Sequence, residues 1–115
     1  MTDSSKPTSA PLRVAIVGLG PIGIGVMEAL DRGLDGLVLS AVSVQHPEKH
    51  RERLARLAKP PAILPIDALV DVADIVIECA PSKLVRSIVA PFVQSGKTAV
   101  VLSAGALLEN AMVLI

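Results

Sequence analysis

RVAIVGLGPIG, residues Arg13 to Gly23, is the stretch on which the fold turns. Its first five residues are an apolar, β-branched run of the length of a strand. Gly18 stops the run, and Gly18-Leu19-Gly20-Pro21-Ile22-Gly23 has the spacing G-x-G-x-x-G. Glycine clusters also arise by chance, so the pattern carries weight only behind a strand and ahead of a helix. Both are present: Ile22 to Arg32 places Ile22, Val26, Ala29 and Leu30 on one helical face. Each glycine then has its own task. Gly18 lets the chain turn sharply, Gly20 has no Cβ to hold a pyrophosphate away from the backbone, and Gly23 lets helix and strand pack closely. Pro21 and Ile22 open the helix, whose free N–H groups and positive dipole end face the anion. A cradle for dinucleotide phosphates is the favoured reading, and a plain strand-to-helix turn is the bland one.

Working outward, Leu37 to Val44 (LVLSAVSV) reads as a second strand. A charged helix is predicted from Pro47 to about Ala58, with Glu52 and Arg56 as an i,i+4 pair, and the prolines of KPP at 59–61 end it. Ala62 to Leu64 is a short third strand, Ile66 to Asp71 a helical turn or two, and Asp74 to Cys79 (DIVIEC) a fourth strand. Ser82 to Ser95 reads as a helix kinked or split at Pro91, followed by Gly96 and a fifth strand, Thr98 to Leu102. Strands alternate with helices throughout, which predicts an α/β fold with a doubly wound parallel sheet, a Rossmann-type NAD(P)-binding domain. The chain is 51% apolar but only 1% aromatic, so its core must be built from Val, Ile, Leu and Ala, as parallel sheets are. A length of 115 residues fits one domain, expected over 13–115, after a polar, disordered tail at 1–12 that lacks the apolar core of a secretory signal. The chain ends on apolar AMVLI. Those side chains are expected to pack against a following carboxyl-terminal domain, or against another copy in a homo-oligomer.

Eleven basic and eleven acidic residues cancel, so no net field points to nucleic acid or an anionic membrane. No apolar run reaches the roughly 18 residues of a membrane span. The lone Cys79 can form no internal disulfide and fits a reducing, cytoplasmic setting. His46 and His50 lack metal-ligand spacing, and no metal site is expected. An acidic residue normally stands at the tip of the second strand and takes the ribose hydroxyls of NAD, whereas a nearby arginine accommodates the 2′-phosphate of NADP. Here the tip reads Ser43-Val44-Gln45-His46, without a carboxylate, and residues 46–59 carry five Lys or Arg against two Glu. A solvated helix face explains most such runs. Loss of the repelling carboxylate still implies that NADP is accepted, alone or beside NAD. The fourth strand ends in Glu78-Cys79-Ala80-Pro81 and the fifth in Ser103-Ala104-Gly105-Ala106. Small residues there would let the nicotinamide ribose or ring lie on backbone, and Ser103 could offer a hydroxyl. Glu78, with no obvious partner, is a disfavoured candidate general base, and Cys79 reads as a small buried hydrophobe.

RVAIVGLGPIG, ERLARLAKPP, DIVIECAP and VVLSAGAL together resemble the amino-terminal domain of the L-aspartate dehydrogenase family, over about residues 13–110. The glycine motif and the strand ending in ECA are shared with homoserine dehydrogenases and glucose-fructose oxidoreductase-like enzymes, whereas ERLARLAKPP and S-x-GAL are more specific. The resemblance implies NAD(P)-dependent oxidative deamination of L-aspartate to iminoaspartate and thence oxaloacetate. It also implies cofactor contacts at Gly18, Gly20, Pro21, Ile22, Gly23, Gln45, His46, Ala80, Pro81, Ser103, Ala104, Gly105 and Ala106. The family's catalytic histidine and substrate-binding residues belong to a carboxyl-terminal domain, so no residue of this chain is carried over as catalytic and the 115 residues alone are expected to be inactive. A homoserine dehydrogenase-like or sugar oxidoreductase-like enzyme and a free-standing dinucleotide-sensing module are the alternatives.

Overall fold

The computed structural model of the chain describes residues 10–80 and 82–102. Strand β1 (Leu12–Val17) leads into helix α1 (Pro21–Arg32) and strand β2 (Leu37–Ser43). A 3-10 turn at Pro47–Lys49 precedes the short helix α2 (Arg51–Ala55) and the two-residue strand β3 (Ala62–Ile63). A 3-10 segment, Ile66–Asp71, runs to β4 (Ile75–Glu78), and another, Ser82–Leu84, runs into α3 (Val85–Gln94) and β5 (Thr98–Val101). The strands lie in the order β3-β2-β1-β4-β5, and every pair is parallel. β1 is central, and the chain steps outward first to one side and then to the other. Such a reversal opens a crevice over the carboxyl end of the central strand.

β1 is apolar at consecutive positions because both its faces are covered. Val14 and Ile16 pack with Met27 and Leu30 of α1 and Leu54 of α2. Ala15 and Val17 point the other way, to Leu69, Ile88 and Phe92. Phe92, the chain's one aromatic residue, is fully buried. It fits because Ala15, Ala41 and Ala73 share its cluster. The doubly wound sheet read from the sequence is the observed one, with three local departures.

First, β2 does not pair with β1 in unbroken register: Val14 faces Leu39 and Ala15 faces Ala41, so Ser40 is extra. Its hydroxyl donates to the Val14 carbonyl at 3.2 Å, satisfying an acceptor that the bulge disturbs. Second, the segment predicted as one helix from Pro47 to Ala58 breaks at His50 (φ −117°, ψ −3°). Leu54 is the only buried residue of α2, so tertiary packing holds little more than one turn. Beyond it, Asp31 of α1 accepts the Ala58 N–H at 3.0 Å and reaches Lys59 N–H at 3.4 Å, giving those amides a partner outside a helix. Third, α3 runs unbroken through Pro91. Pro91 brings no N–H to the Ser87 carbonyl, a loss of about 3 kcal/mol in a helix interior. Against it stand Val85, Ile88, Val89 and Phe92, all buried on the sheet and each contributing roughly 1.5–3 kcal/mol.

Two polar ties fix the far end of the sheet. Arg13 donates backbone N–H and Nε to Asp74 Oδ2 (2.8 and 3.2 Å) and Nη2 to Oδ1 (3.1 Å), and Asp74 N–H returns to the Arg13 carbonyl (2.8 Å). Those bonds from Arg13 hold the Asp74 carboxyl down to about 2. Lys97 donates Nζ to the carbonyls of Val70 and Ala73, closing the end of the Ile66–Asp71 segment.

Candidate functional site

The exit of β1 is laced to both neighbours: Gly18 N–H donates to the Ser43 carbonyl (3.0 Å), and Cys79 N–H to the Val17 carbonyl (2.8 Å). Gly18 turns there with φ +93°, and a Cβ on it would stand 2.8 Å from the Cys79 oxygen. Both the torsion and the space demand glycine. A Cβ on Gly23 would run into the Gly18 carbonyl oxygen, so the first turn of α1 rests directly on the β1–α1 turn. Gly20 is different. Its backbone is extended (φ −79°, ψ −168°), it stands at the N-cap of α1, and no atom lies within 4 Å of where its Cβ would be. Among the described residues no side chain caps the start of α1, and no acidic residue occupies its first turn. The leading N–H groups of a helix have no partner inside it, so this end offers donors to an anion.

In front of Gly20 lies a cleft of about 950 Å³ across the carboxyl ends of β1, β2 and β4. Its lining runs from Val17–Gly20 to Ser43–His46, Lys49 and His50 at the tip of β2, and to Ile66 and Asp67 after β3. Cys79, Ala80, Lys83, Leu84, Ser87 and Pro91 close the far wall. The volume is that of a small-molecule or cofactor site. Of the residues singled out in the sequence, Gly18, Gly20, Gln45, His46 and Ala80 meet in this cleft. Gly23 is buried beneath the turn, and Pro21 and Ile22 stand exposed at the start of α1, outside the lining. Pro81, Ser103, Ala104, Gly105 and Ala106 lie outside the described residues.

Ile66, Asp67, Lys83, Leu84 and Ser87 went unmarked in the sequence. The signal for them was available: in open α/β sheets the ligand lies outside the carboxyl ends of the strands, which implicates the segments after β3 and β4. Lys49 and His50 were legible only as members of a charged run. Glu78 does have a partner. It is fully buried, and its Oε2 accepts the Ala80 N–H at 2.9 Å, bracing the peptide on which Gly18 sits. Cys79 is half-buried, and burial together with the neighbouring Glu78 pushes its thiol pKa up, which disfavours the nucleophilic thiolate.

The basic run divides in two. Arg53 pairs with Glu28 of α1 (3.6 Å) and Arg56 with Glu52 (3.2 Å), both away from the cleft. Lys49 and His50 are among the residues that line it. Asp67 is the only carboxylate among the described residues that line it. The described residues contain no group of three His, Cys, Asp or Glu placed to hold a metal ion, and no helix among them is long and apolar enough to cross a membrane.

Residues 18–114 match the family described as the homoserine dehydrogenase NAD-binding domain. The chain is 56% identical over 110 residues to an L-aspartate dehydrogenase of Bradyrhizobium diazoefficiens, covering 96% of this chain and 38% of that protein. It is 43% identical over 99 residues to L-aspartate dehydrogenase 3 of Bordetella bronchiseptica, covering 85% of this chain and 36% of that one. It thus spans little more than a third of the length of these relatives. A scyllo-inositol dehydrogenase from Lactobacillus casei, solved with bound NAD(H) and scyllo-inositol, has the same fold over 90% of this chain and 33% of its own (TM-score 0.69, 20% identity).

Proposed function

This chain belongs to the family of homoserine dehydrogenase NAD-binding domains, and from that premise we propose that its cleft takes NAD or NADP with the pyrophosphate against Gly20 and the first turn of α1. The observation that carries this reading is the open space at Gly20, beside a helix end that no side chain among the described residues caps. Gly18 and Gly23 shape the turn from below, and Pro21 and Ile22 begin the donor-bearing helix. Gln45 and His46 would meet the adenosine ribose at the tip of β2, whose residues Ser43 to His46 include no carboxylate, while the exposed Glu48 beside His46 stands outside the cleft lining. The nicotinamide half would run past Cys79 and Ala80 at the exit of β4.

In the whole enzyme we assign the domain to L-aspartate oxidation, on the strength of 56% identity to an enzyme of that name. When bound, the nicotinamide supplies a hydride acceptor, which is what oxidising L-aspartate to iminoaspartate requires. The chain's own residues bind the coenzyme, orient it and line the wall behind it. The test is a chimera in which residues 13–110 replace the matching third of the Bradyrhizobium diazoefficiens relative. L-Aspartate-dependent reduction of NAD or NADP, abolished by Gly20→Val, is the expected result. A folded chimera that binds neither coenzyme contradicts the proposal.

A further inference from the structure

Resting on the dinucleotide reading above, we infer that Lys49, seconded by His50, is the seat of the NADP 2′-phosphate and sets the chain's preference between the two coenzymes. Both residues line the cleft just beyond Gln45 and His46, at the carboxyl end of β2 where the adenosine ribose of a bound dinucleotide falls. Three observations single them out from the basic run. Arg53 and Arg56 are committed to Glu28 and Glu52, Arg51 and Lys59 stand outside the cleft lining, and no ion pair of Lys49 or His50, which do line it, occurs among the described residues. The break of the expected helix at His50 seats Lys49 at the end of a 3-10 turn and brings both residues to the cleft wall, away from a uniform helix face. And the tip of β2, Ser43-Val44-Gln45-His46, carries no carboxylate to take the ribose hydroxyls or repel a 2′-phosphate.

The carboxylates nearby do not cancel this. Glu48 is exposed and lies 3.7 Å from His46 Nδ1, and Asp67 belongs to the segment after β3 on another wall. A lysine ammonium serves as a point charge for phosphate, with a direction less strict than arginine's fork. The assignment therefore needs only that Lys49 reach the ribose edge of the cleft.

The test is titration of the full chain with NADH, NADPH and adenosine 2′,5′-bisphosphate, for the wild type, Lys49→Gln, His50→Gln and Arg56→Gln. Losing a charge-assisted contact to phosphate should weaken NADPH and the bisphosphate about tenfold or more in Lys49→Gln, with NADH moving less than about twofold. His50→Gln should move in the same direction by less. Arg56→Gln removes the same charge outside the cleft and should leave all three affinities unchanged. The NADPH advantage should also shrink with added salt. If NADH binds but Lys49→Gln shifts NADH and NADPH equally, or Arg56→Gln matches it, the 2′-phosphate seat is overturned while the dinucleotide site stands. If the wild type binds no dinucleotide, both fall.

Discussion

Gly20 and Gly23 stand in one motif, and substituting them should harm the protein in opposite ways. A valine at Gly20 meets no atom within 4 Å, and the extended backbone there suits it. Its cost to folding is that of a poor N-cap, up to about 1 kcal/mol. Its methyl groups occupy the space in front of α1, so NADH affinity should fall at least tenfold, or about 1.4 kcal/mol, in calorimetry. Alanine at Gly23 drives a methyl into the Gly18 carbonyl oxygen. That variant should lose about 1–3 kcal/mol in urea unfolding, through backbone displacement. Val44→Asp tests the neighbouring wall: a carboxylate at the β2 tip should lower the NADPH/NADH affinity ratio by about tenfold, through repulsion of the 2′-phosphate. Spacing, read behind a strand and ahead of a helix, revealed Gly18, Gly20 and Gly23: backbone torsion and close packing demand glycine at Gly18 and Gly23, and Gly20 completes the pattern. Ser40, Asp31 and Glu78 were opaque, because each acts on a backbone group whose position depends on tertiary structure.

At the scale of elements, strands were legible to within a residue or so and helices less well. β1 begins at Leu12, one residue earlier than expected, and β2 ends at Ser43, one earlier. A strand buried on both faces announces itself by an unbroken apolar run. The Pro47–Ala58 segment announced a helix by charge pairing, but the Glu52–Arg56 pair is exposed and worth only a few tenths of a kcal/mol, too little to propagate a helix with one buried anchor. The tie between β1 and the start of β4 gives a pH prediction. Arg13 holds the Asp74 carboxyl at about 2, below the usual value near 3.8 that it regains on unfolding. Its stabilisation is therefore complete above about pH 4 and drains away as the pH falls toward 2. Acid denaturation followed by circular dichroism should show Asp74→Asn less stable than wild type at neutral pH, with the two curves converging near pH 2. Parallel curves through that window would mean that the pair contributes nothing.

At the scale of the whole molecule, a parallel sheet in the order β3-β2-β1-β4-β5 puts the β1–α1 turn, the β2 tip and the β4 exit side by side, though they lie far apart in the chain. The alternation of strands and helices made a parallel, doubly wound sheet predictable; the strand order, and the cleft that follows from it, are seen in the structure. The segments after β3 and β4 were implicated by their place beyond the strand ends, but which of their residues form the walls, Ile66, Lys83 and Leu84 among them, depends on how those segments fold over the opening. The central claim is that a dinucleotide sits there by its phosphates. The most direct measurement is a titration of the isotopically labelled chain with NADPH, followed by amide chemical shifts. Saturable shifts should be largest at Leu19, Gly20, Ile22 and Gly23, with a second group at Val44–His50 and a third at Ala80, while the β1–β4 tie at Arg13 and Asp74 stays still. Saturable shifts that spare the Leu19–Gly23 amides, or no saturation at any site, would contradict it.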